Sequence, residues 1–475
     1  MNKPAGTPIT ATPVERFAAI VGDKYTLRDP ADMAPHLSEP RDIYHGRAAA
    51  VLKPGSTREV SEILKLANET GTPVVPQGGI TGMSGGQVPL DERAIVVSTA
   101  RLDKIREIDL DSNSMTCEAG VVLQRAQDLA RENDRLFPLS LGAEGSCMIG
   151  GNLSTNAGGT NALVYGMARD LVLGLEVVLA DGRIWNGLRK LKKDNTGYDL
   201  RHIFIGAEGT LGIITAAVLK LFPKPRSVET AFIGVPSPQA ALELLRVAQA
   251  RAGNSVTSFE LMTRFGVEMA VKFPPGHREP LAGTHPWYVL MELSSTAREG
   301  LRESMEEILS AGVAAGHVED ATLAASLEQS RAFWHLRLIL PEAQKSTQGA
   351  VAHDVSVPVS AVPAFIAEAS AAVKKLLPDI RPMPFGHLGD GNMHFAVCKP
   401  EAMERDVFRK LTKEINDAVY GVVAKYHGSI SAEHGIGLMK RDQLPGVKDP
   451  VELALMRSIK QTLDPKGILN PGKVL

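Results

Sequence analysis

The sequence predicts an α+β protein built from two main domains that meet near residue 225. Three glycine-rich tracts, each next to a predicted strand, lie between residues 76 and 212. Pro223 and Pro225 then interrupt the chain, and beyond them Ala-rich amphipathic helices alternate with strands. With 475 residues, of which 44% are hydrophobic and 22% charged, each domain is large enough to bury its own core.

The elements of the first part follow from short apolar runs and helix signals. A helical segment is expected over 1–41 and a first domain over 42–225. Ser56-x-x-Glu59 has the spacing of a capping box, which predicts the start of a helix. Strands are predicted at 48–54, 73–76, 94–98, 106–110, 114–120 and 214–222, with a helix at 122–132.

A second α+β domain is predicted over 226–430. Its amphipathic helices cover 239–253 and 362–377, and an apolar run predicts a strand at 287–295. The last segment, 431–475, contains the short motif SAEHGIG and the tail LDPKGILNPGK. We expect this segment to complete the site that the two domains form.

Composition excludes several classes of protein. A formal net charge of −2 argues against nucleic-acid binding, because such proteins usually carry an excess of cations. Cys117, Cys147 and Cys398 form no C-x-x-C pair, which predicts free thiols in a reducing compartment. The sequence shows neither a signal-peptide pattern nor a stretch of about 20 apolar residues. We therefore expect a cytoplasmic protein without a membrane span.

The glycine tracts at 78–86, 142–159 and 206–212 are the strongest functional signal. They do not fit a Rossmann fingerprint, because Gly86 is followed by Gln87, Val88 and a proline rather than by a helix. Backbone N–H groups freed of side chains can instead surround an anion. Three tracts together indicate a long ligand with a pyrophosphate, although any single tract could be a flexible linker.

The motifs VPQGGITGMSGG, LGAEGSCMIGGNLSTNAGG and GAEGTLGIIT resemble the FAD-binding domain of the vanillyl-alcohol-oxidase/PCMH flavoprotein superfamily. The resemblance extends over residues 42–475. It implies a two-part PCMH-type FAD-binding domain and an α+β substrate (cap) domain with an antiparallel sheet. Some relatives attach flavin through a His or Cys in the first loop; this loop has neither, so FAD is expected to be non-covalent.

The same resemblance implies which residues contact FAD. The pyrophosphate would lie against the first tract, the isoalloxazine and ribityl chain against the second, and the adenine side near the strand after the third. The residues concerned are Pro76, Gln77, Gly78, Gly79, Ile80, Thr81, Gly82, Gly142, Gly145, Ser146, Gly151, Asn152, Thr155, Asn156, Ile213 and, in the C-terminal segment, Asn470.

A histidine pair in FGHLGDGNMHF predicts a metal site. If Asp390-Gly391 forms a two-residue hairpin turn, His387 lies directly opposite His394 on one face. Two imidazoles so placed can bind one divalent cation, and Glu433 of SAEHGIG is the natural third ligand. Such a set leaves a coordination position open, as catalytic sites do. Two histidines on a hairpin are also often unrelated to a metal.

GHLGDGNMHF and SAEHGIG resemble the D-2-hydroxyacid dehydrogenase branch, which includes D-lactate and D-2-hydroxyglutarate dehydrogenases and the glycolate oxidase flavin subunit. The resemblance implies that His387, His394 and Glu433 bind zinc or a similar ion. It also implies that His434 is the base that accepts the substrate hydroxyl proton while hydride passes to flavin. The alternatives are a supporting role for His434, a non-redox enzyme of the alkylglycerone-phosphate synthase type, or a non-catalytic flavin-binding subunit.

The substrate-binding residues depart in part from that branch. FWHLR resembles the segment whose arginine, here Arg337, clamps a substrate carboxylate and so supports catalysis, although it could also be a surface arginine. Three polar groups that relatives carry are replaced by Ala352, Pro341 and Ala396, and Lys345 could supply a cation instead. The sequence therefore predicts that D-lactate is at least competitive with D-2-hydroxyglutarate as substrate.

Two partners follow from the resemblance alone. No ferredoxin-type cysteine spacing occurs, so the electron acceptor is expected to be oxygen, a quinone, a cytochrome or an electron-transfer flavoprotein. The family also implies a homodimer.

Overall fold

The computed structural model describes residues 12–273 and 276–475. Its strands, in chain order, are β1 Thr26–Leu27, β2 Ala50–Leu52, β3 Val74–Gln77, β4 Ile95–Ser98, β5 Ile105–Asp109, β6 Ser114–Glu118, β7 Arg135–Leu136, β8 Val172–Val178, β9 Ile184–Gly187, β10 Ile213–Lys220, β11 Phe222–Pro223, β12 Ser227–Val235, β13 Val256–Thr263, β14 Trp287–Ser295, β15 Asp320–Leu323, β16 Ala350–Ser356, β17 Arg381–His387 and β18 Asn392–Cys398.

The helices predicted at 122–132, 239–253 and 362–377 begin and end within one residue of those boundaries. The helices of the described residues follow in chain order. They are α1 Pro13–Val21, α2 Pro30–Met33, α3 Thr57–Thr70, α4 Leu123–Glu132, α5 Ile149–Ser154, α6 Ala162–Tyr165, α7 Arg201–Phe204, α8 Pro238–Ala252, α9 Arg264–Lys272, α10 Leu301–Ala314, α11 Leu327–Leu338, α12 Leu340–Ala343, α13 Val362–Leu376, α14 Arg405–Arg409, α15 Thr412–Lys425, α16 Leu444–Val447 and α17 Pro450–Leu463. None of these helices is both long and apolar enough to cross a bilayer, within the ranges that the structure describes.

Two main sheets form the first domain, and β7 pairs with β11 in a small third sheet. A four-stranded sheet has the order β1-β2-β4-β3, in which β4 is parallel to both β2 and β3. A five-stranded antiparallel sheet has the order β5-β6-β10-β8-β9. Helix α3 starts as predicted, because the Ser56 hydroxyl accepts a hydrogen bond from Glu59 N; the Glu59 carboxylate, however, bonds to Gly55 N. Two sheets with separate cores confirm the two-part architecture.

Both terminal segments join this domain. The predicted helical segment 1–41, of which 1–11 lie outside the described residues, also contributes β1, whose Thr26 and Leu27 pair with β2. At the other end, Leu469 forms a parallel bridge with Val74. The C-terminal segment therefore returns to the first sheet, at the strand that leads into the first glycine tract.

A seven-stranded antiparallel sheet forms the second domain, with the order β15-β12-β14-β13-β17-β18-β16. Helices α8, α10, α13 and α15 bury their apolar residues with one face of the sheet in a large core. Helices α9, α11 and α12 pack on a second core that includes residues of β17 and β18. The α+β fold class is thus confirmed, and the histidine pair lies in the interior of this sheet.

Candidate active site

The predicted register of the histidine hairpin is wrong by two residues. His387 pairs with Asn392, and His394 pairs with Phe385. The loop therefore contains four residues, 388–391, and Gly391 N donates to His387 O at 3.1 Å. A shift of two residues keeps each side chain on its original face, so the histidines become diagonal neighbours. Their ring centroids are 5.6 Å apart.

Four adjacent strands place polar side chains on this same face. Glu260 of β13 pairs with His387 of β17, and Asp354 of β16 pairs with His394 of β18. Glu260 and Asp354 are only 1% and 3% exposed, although β16, which carries Asp354, is an edge strand of the sheet. Burying such charges costs several kcal/mol unless each one has partners. The contacts of these two carboxylates therefore define the site.

Glu260 bonds both to Arg337, the predicted carboxylate clamp, and to His387, a predicted metal ligand. One carboxylate oxygen accepts from His387 Nδ1 at 2.7 Å, and the other accepts from Arg337 Nε at 2.7 Å. Burial disfavours the charged form of each group, but the attraction between the opposite charges has the larger effect. It lowers the pKa of Glu260 to about 2 and raises that of His387 to about 9. Arg337 is thus a buried arginine, fixed by an ion pair.

His387, His394 and Glu433 fit a divalent cation. Their nearest ligand atoms all lie within 4.8 Å of one another. The bond from His387 Nδ1 to Glu260 leaves Nε2 as its free ligand atom, an arrangement common around bound metals. Burial raises the pKa of Glu433 to about 7 and lowers that of His394 to about 3. A cation would favour both the charged carboxylate and the neutral imidazole.

Asp354 holds the segment that carries Glu433 and His434. Its Oδ2 accepts from both backbone N–H groups, at 2.9 and 2.8 Å. The other oxygen accepts from Asn392 Nδ2 at 3.0 Å. His434 Nδ1 lies 3.6 Å from the same carboxylate, and the His434 ring stacks beside His394 with centroids 6.1 Å apart. Burial lowers the pKa of His434, which favours the neutral base.

A cleft with about 900 Å³ of space, part of it open to solvent, runs between the glycine tracts. His434 lies on its wall, so this residue borders both the cleft and the histidine cluster. The predicted FAD contacts that line the cleft are Pro76, Gln77, Gly78, Gly79, Ile80, Thr81, Gly82, Gly151, Asn152, Thr155, Ile213 and Asn470. All three tracts therefore meet around one space.

The wall of the cleft suits a polar cofactor. Asn152 Oδ1 and Asn470 Oδ1 are buried without a hydrogen-bond partner among the described residues. Gly79 packs so closely on the second tract that a Cβ there would clash with the Ser146 carbonyl oxygen. Unpaired polar atoms and close backbone packing are what a ligand bound through backbone groups requires. The residues present therefore fit FAD.

Four predicted flavin contacts do not line the cleft: Gly142, Gly145, Ser146 and Asn156. Asn156 Oδ1 accepts a hydrogen bond from Arg169 N at 2.9 Å. Contact of these four residues with flavin stays a prediction.

Lys345 is not brought to the cluster. Its ammonium pairs with Glu342 at 2.7 Å, and both side chains are about two-thirds exposed. Ala352 pairs with Ala396, next to the pair formed by Asp354 and His394. The two positions at which relatives carry a polar side chain and this chain has alanine are therefore neighbours on the face that carries the site. Pro341 lies exposed at the start of α12.

Sequence reasoning missed Glu260, and it assigned no role to Asp354 or Glu208. A signal for Glu260 was available: a lone carboxylate in the apolar strand SFELMT must find a buried partner. The sequence did not show that this partner is His387, which lies 127 residues away.

Comparison with known proteins identifies the family of each domain. Residues 48–187 match the family described as FAD binding domain, and residues 224–474 match FAD linked oxidases, C-terminal domain. The fold and the site thus define an FAD-linked oxidase.

Full-length relatives narrow the family. The chain is 36% identical to D-2-hydroxyglutarate dehydrogenase, mitochondrial, from Arabidopsis thaliana, with 100% of this chain and 83% of the relative covered. It is 36% identical to D-2-hydroxyglutarate dehydrogenase from Xanthomonas citri pv. viticola, covering 92% and 93%. A D-2-hydroxyglutarate–pyruvate transhydrogenase from Saccharomyces cerevisiae is 34% identical over 97% and 93%. The chain belongs to this family of FAD-dependent enzymes, which confirms the predicted resemblance.

Solved structures share the fold. p-Cresol methylhydroxylase superposes with a TM-score of 0.77 at 17% identity, covering 97% of this chain and 96% of that one. An alkyldihydroxyacetonephosphate synthase superposes with a TM-score of 0.74 at 17% identity, covering 99% and 86%.

Proposed function

We propose that the protein oxidises a D-2-hydroxy acid to the 2-oxo acid, with FAD as the acceptor of the two electrons and the α-hydrogen. The observation that carries this proposal is the position of His434, which borders both the flavin cleft and the histidine cluster. The names of the full-length relatives support the same reaction class.

His434 is proposed as the base. Asp354 binds the His434 backbone N–H and lies 3.6 Å from Nδ1, so Nε2 is the nitrogen left to accept the substrate hydroxyl proton. Burial keeps the imidazole neutral, as a base requires. Proton removal by a positioned side chain typically contributes about 10²- to 10⁴-fold in rate.

Arg337 is proposed to bind the substrate carboxylate. Its Nε is committed to Glu260, and neither terminal nitrogen has a hydrogen-bond partner within the described ranges. These two nitrogens form the edge that a carboxylate can bind in bidentate fashion. The ion pair with Glu260 holds that edge in one orientation.

We propose that His387, His394 and Glu433 bind a divalent cation, with zinc favoured by the His and Glu ligands. When bound, the cation supplies a Lewis acid that lowers the pKa of a coordinated hydroxyl. Glu260 orients the His387 ring, and Asp354 orients the segment that carries Glu433.

Two alternatives have less support. A non-redox activity is favoured by the alkyldihydroxyacetonephosphate synthase fold match alone, and that match shares only 17% identity. A non-catalytic subunit does not account for a base, a metal-ligand set and a buried arginine in contact with one another.

Anaerobic mixing with a panel of hydroxy acids tests the proposed function. D-2-hydroxyglutarate and D-lactate should bleach the flavin, whereas their L-enantiomers should not. Because no cation stands at Ala352, we expect D-lactate to be at least competitive with D-2-hydroxyglutarate. If no D-2-hydroxy acid bleaches the flavin, the proposed function is wrong.

FAD is proposed to be non-covalent. The first tract lacks His and Cys, and burial raises the pKa of the nearby Cys147, which keeps it a neutral thiol. Acid precipitation should therefore release all flavin to the supernatant; colour in the pellet would contradict this. The cytoplasmic location, the homodimer and the electron acceptor stay predictions.

A further inference from the structure

Two glycine tracts contain the same four residues, GAEG, at 142–145 and 206–209, but their glutamates have different partners. Among the described residues, the carboxylate of Glu144 makes local bonds only: Oε1 accepts from Ser140 Oγ at 2.6 Å and from Leu141 N at 3.2 Å. Glu208 instead reaches a segment more than 220 residues away. Identical motifs thus serve different structural purposes.

Both carboxylate oxygens of Glu208 bind the segment that follows the proposed base. Oε1 accepts from Ile436 N at 2.7 Å, and Oε2 accepts from Gly437 N at 2.8 Å. Gly435 leaves room for this contact, because a Cβ there would lie 2.7 Å from Oε1. Burial raises the pKa of Glu208, whereas the two hydrogen bonds from Ile436 N and Gly437 N lower it and favour the ionised carboxylate.

The backbone of Glu208 is held in an uncommon conformation to make this contact. Its φ is 51°, in the left-handed region that residues other than glycine rarely adopt. Asn470 Nδ2 donates to the Glu208 carbonyl at 2.8 Å, and Glu208 N donates to Ser154 O at 2.8 Å. Strain of this kind persists where surrounding contacts determine it, often at functional sites.

The segment 433–437 is therefore held through its N–H groups by two carboxylates from different domains, and Ser84 Oγ also donates to the His434 carbonyl at 2.8 Å. Asp354 of the seven-stranded sheet binds the N–H groups of Glu433 and His434. Glu208 of the flavin domain binds the N–H groups of Ile436 and Gly437. His434 lies between these attachments, so its distance from the flavin cleft depends on Glu208 as well as on Asp354.

We propose that Glu208 is a positioning residue that sets the place of His434 relative to the flavin. This inference rests on the proposed function of His434 as the base. Displacing a catalytic group by about 1 Å can cost about 100-fold in rate, because proton transfer requires close contact. Loss of one of the two hydrogen bonds from Glu208 to the segment should therefore lower the rate of the chemical step, although no group that touches substrate is removed.

E208Q tests this, with E144Q as the matched control in the same motif. Glutamine keeps the shape, but its NH2 group faces one of the two N–H donors, so one hydrogen bond is lost. We expect faster amide exchange at Ile436 and Gly437 in E208Q and wild-type exchange there in E144Q. The limiting rate of flavin reduction by D-2-hydroxy acid, expressed per bound FAD, should fall about 10- to 100-fold in E208Q alone.

Reduction of the same bound flavin by dithionite needs no base and should proceed at the wild-type rate in both variants. This distinguishes a displaced His434 from a damaged flavin site, which Glu208 also borders. If E208Q retains no FAD, E208D, which keeps the charge but shortens the reach, is compared with E144D by the same measurements. A wild-type rate of substrate reduction per FAD, or unchanged exchange at 436 and 437, overturns the proposal. Failure of the wild-type flavin to be reduced by any D-2-hydroxy acid would instead reject the proposed function.

Discussion

The flavin cleft and the histidine cluster meet at His434 but are built from different types of residue. The cleft is lined by glycines from all three tracts. The cluster is formed by charged and imidazole side chains on adjacent strands, supported by buried carboxylates. The difference predicts that the cleft is sensitive to added atoms, whereas the cluster is sensitive to lost charges and hydrogen bonds.

Gly79→Ala should have the largest effect on cofactor content and turnover. A Cβ at this position would clash with the Ser146 carbonyl oxygen, so the first two tracts must separate. We expect FAD content to fall below detection and turnover to be lost, while the metal content of the folded protein is unchanged. Absorbance of the released flavin and elemental analysis measure the two quantities.

Gly421→Ala is the matched control, since a Cβ there meets nothing within 4 Å. It should retain full FAD. If Gly79→Ala also retained full FAD, the close packing of the tracts would not be needed for binding.

His434→Gln tests the junction of the two regions. Loss of the base should lower kcat/KM by about 10²- to 10⁴-fold, while FAD and metal remain bound. Steady-state kinetics and cofactor content provide the measurement, with His317→Gln, which lies outside both regions, as the control. A decrease of less than tenfold would assign the base to another residue.

Glu260→Gln tests the support of the cluster. The substitution removes the charge that orients His387 and balances Arg337. Loss of such outer contacts usually costs about 10- to 100-fold in metal affinity. Competition with a chromophoric chelator should show this decrease with FAD still bound.

Glu292→Gln is the control for Glu260→Gln, because Glu292 lies on the same sheet face but bonds to Trp334. Equal metal affinities in the two variants would contradict a specific role for Glu260.

Ala352→Lys should have the smallest effect, and it concerns selectivity. Ala352 lies in the row beside His394 and Asp354, where a lysine could approach a second substrate carboxylate. We expect kcat/KM for D-2-hydroxyglutarate to rise by about tenfold, which corresponds to about 1.4 kcal/mol, with little change for D-lactate. An unaltered ratio of the two substrates would place the second carboxylate elsewhere.

Local patterns predicted the elements well, because apolar periodicity and capping act within a few residues. The helix predicted at 362–377 is α13, Val362–Leu376, and the strand predicted at 287–295 is β14. The convergence of the glycine tracts was also predictable, because their three motifs together resemble one FAD-binding domain.

The hairpin register was not predictable from its turn residues. Leu388 is fully buried, and its N–H bonds to Phe259 O of the neighbouring strand β13 rather than across the hairpin. Asp390 then accepts from Asn392 N at 3.0 Å and closes a longer loop. A tertiary contact thus overrode the preference of Asp-Gly for a two-residue turn.

The carboxylates that position the site were not predictable either. Glu260, Asp354 and Glu208 bond to residues 38 to 229 positions away, so no local spacing records the pairing. Only the cost of a buried charge indicates that such residues need partners.

The most direct test of the account is anaerobic flavin reduction in protein from which the metal has been removed while FAD is retained. The account predicts that D-2-hydroxy acids no longer bleach the flavin, that added Zn²⁺ restores bleaching, and that dithionite reduces the flavin equally in both forms. Full-rate bleaching by substrate in the rigorously metal-free holoflavoprotein would contradict the proposal that His387, His394 and Glu433 form a metal site required for the reaction.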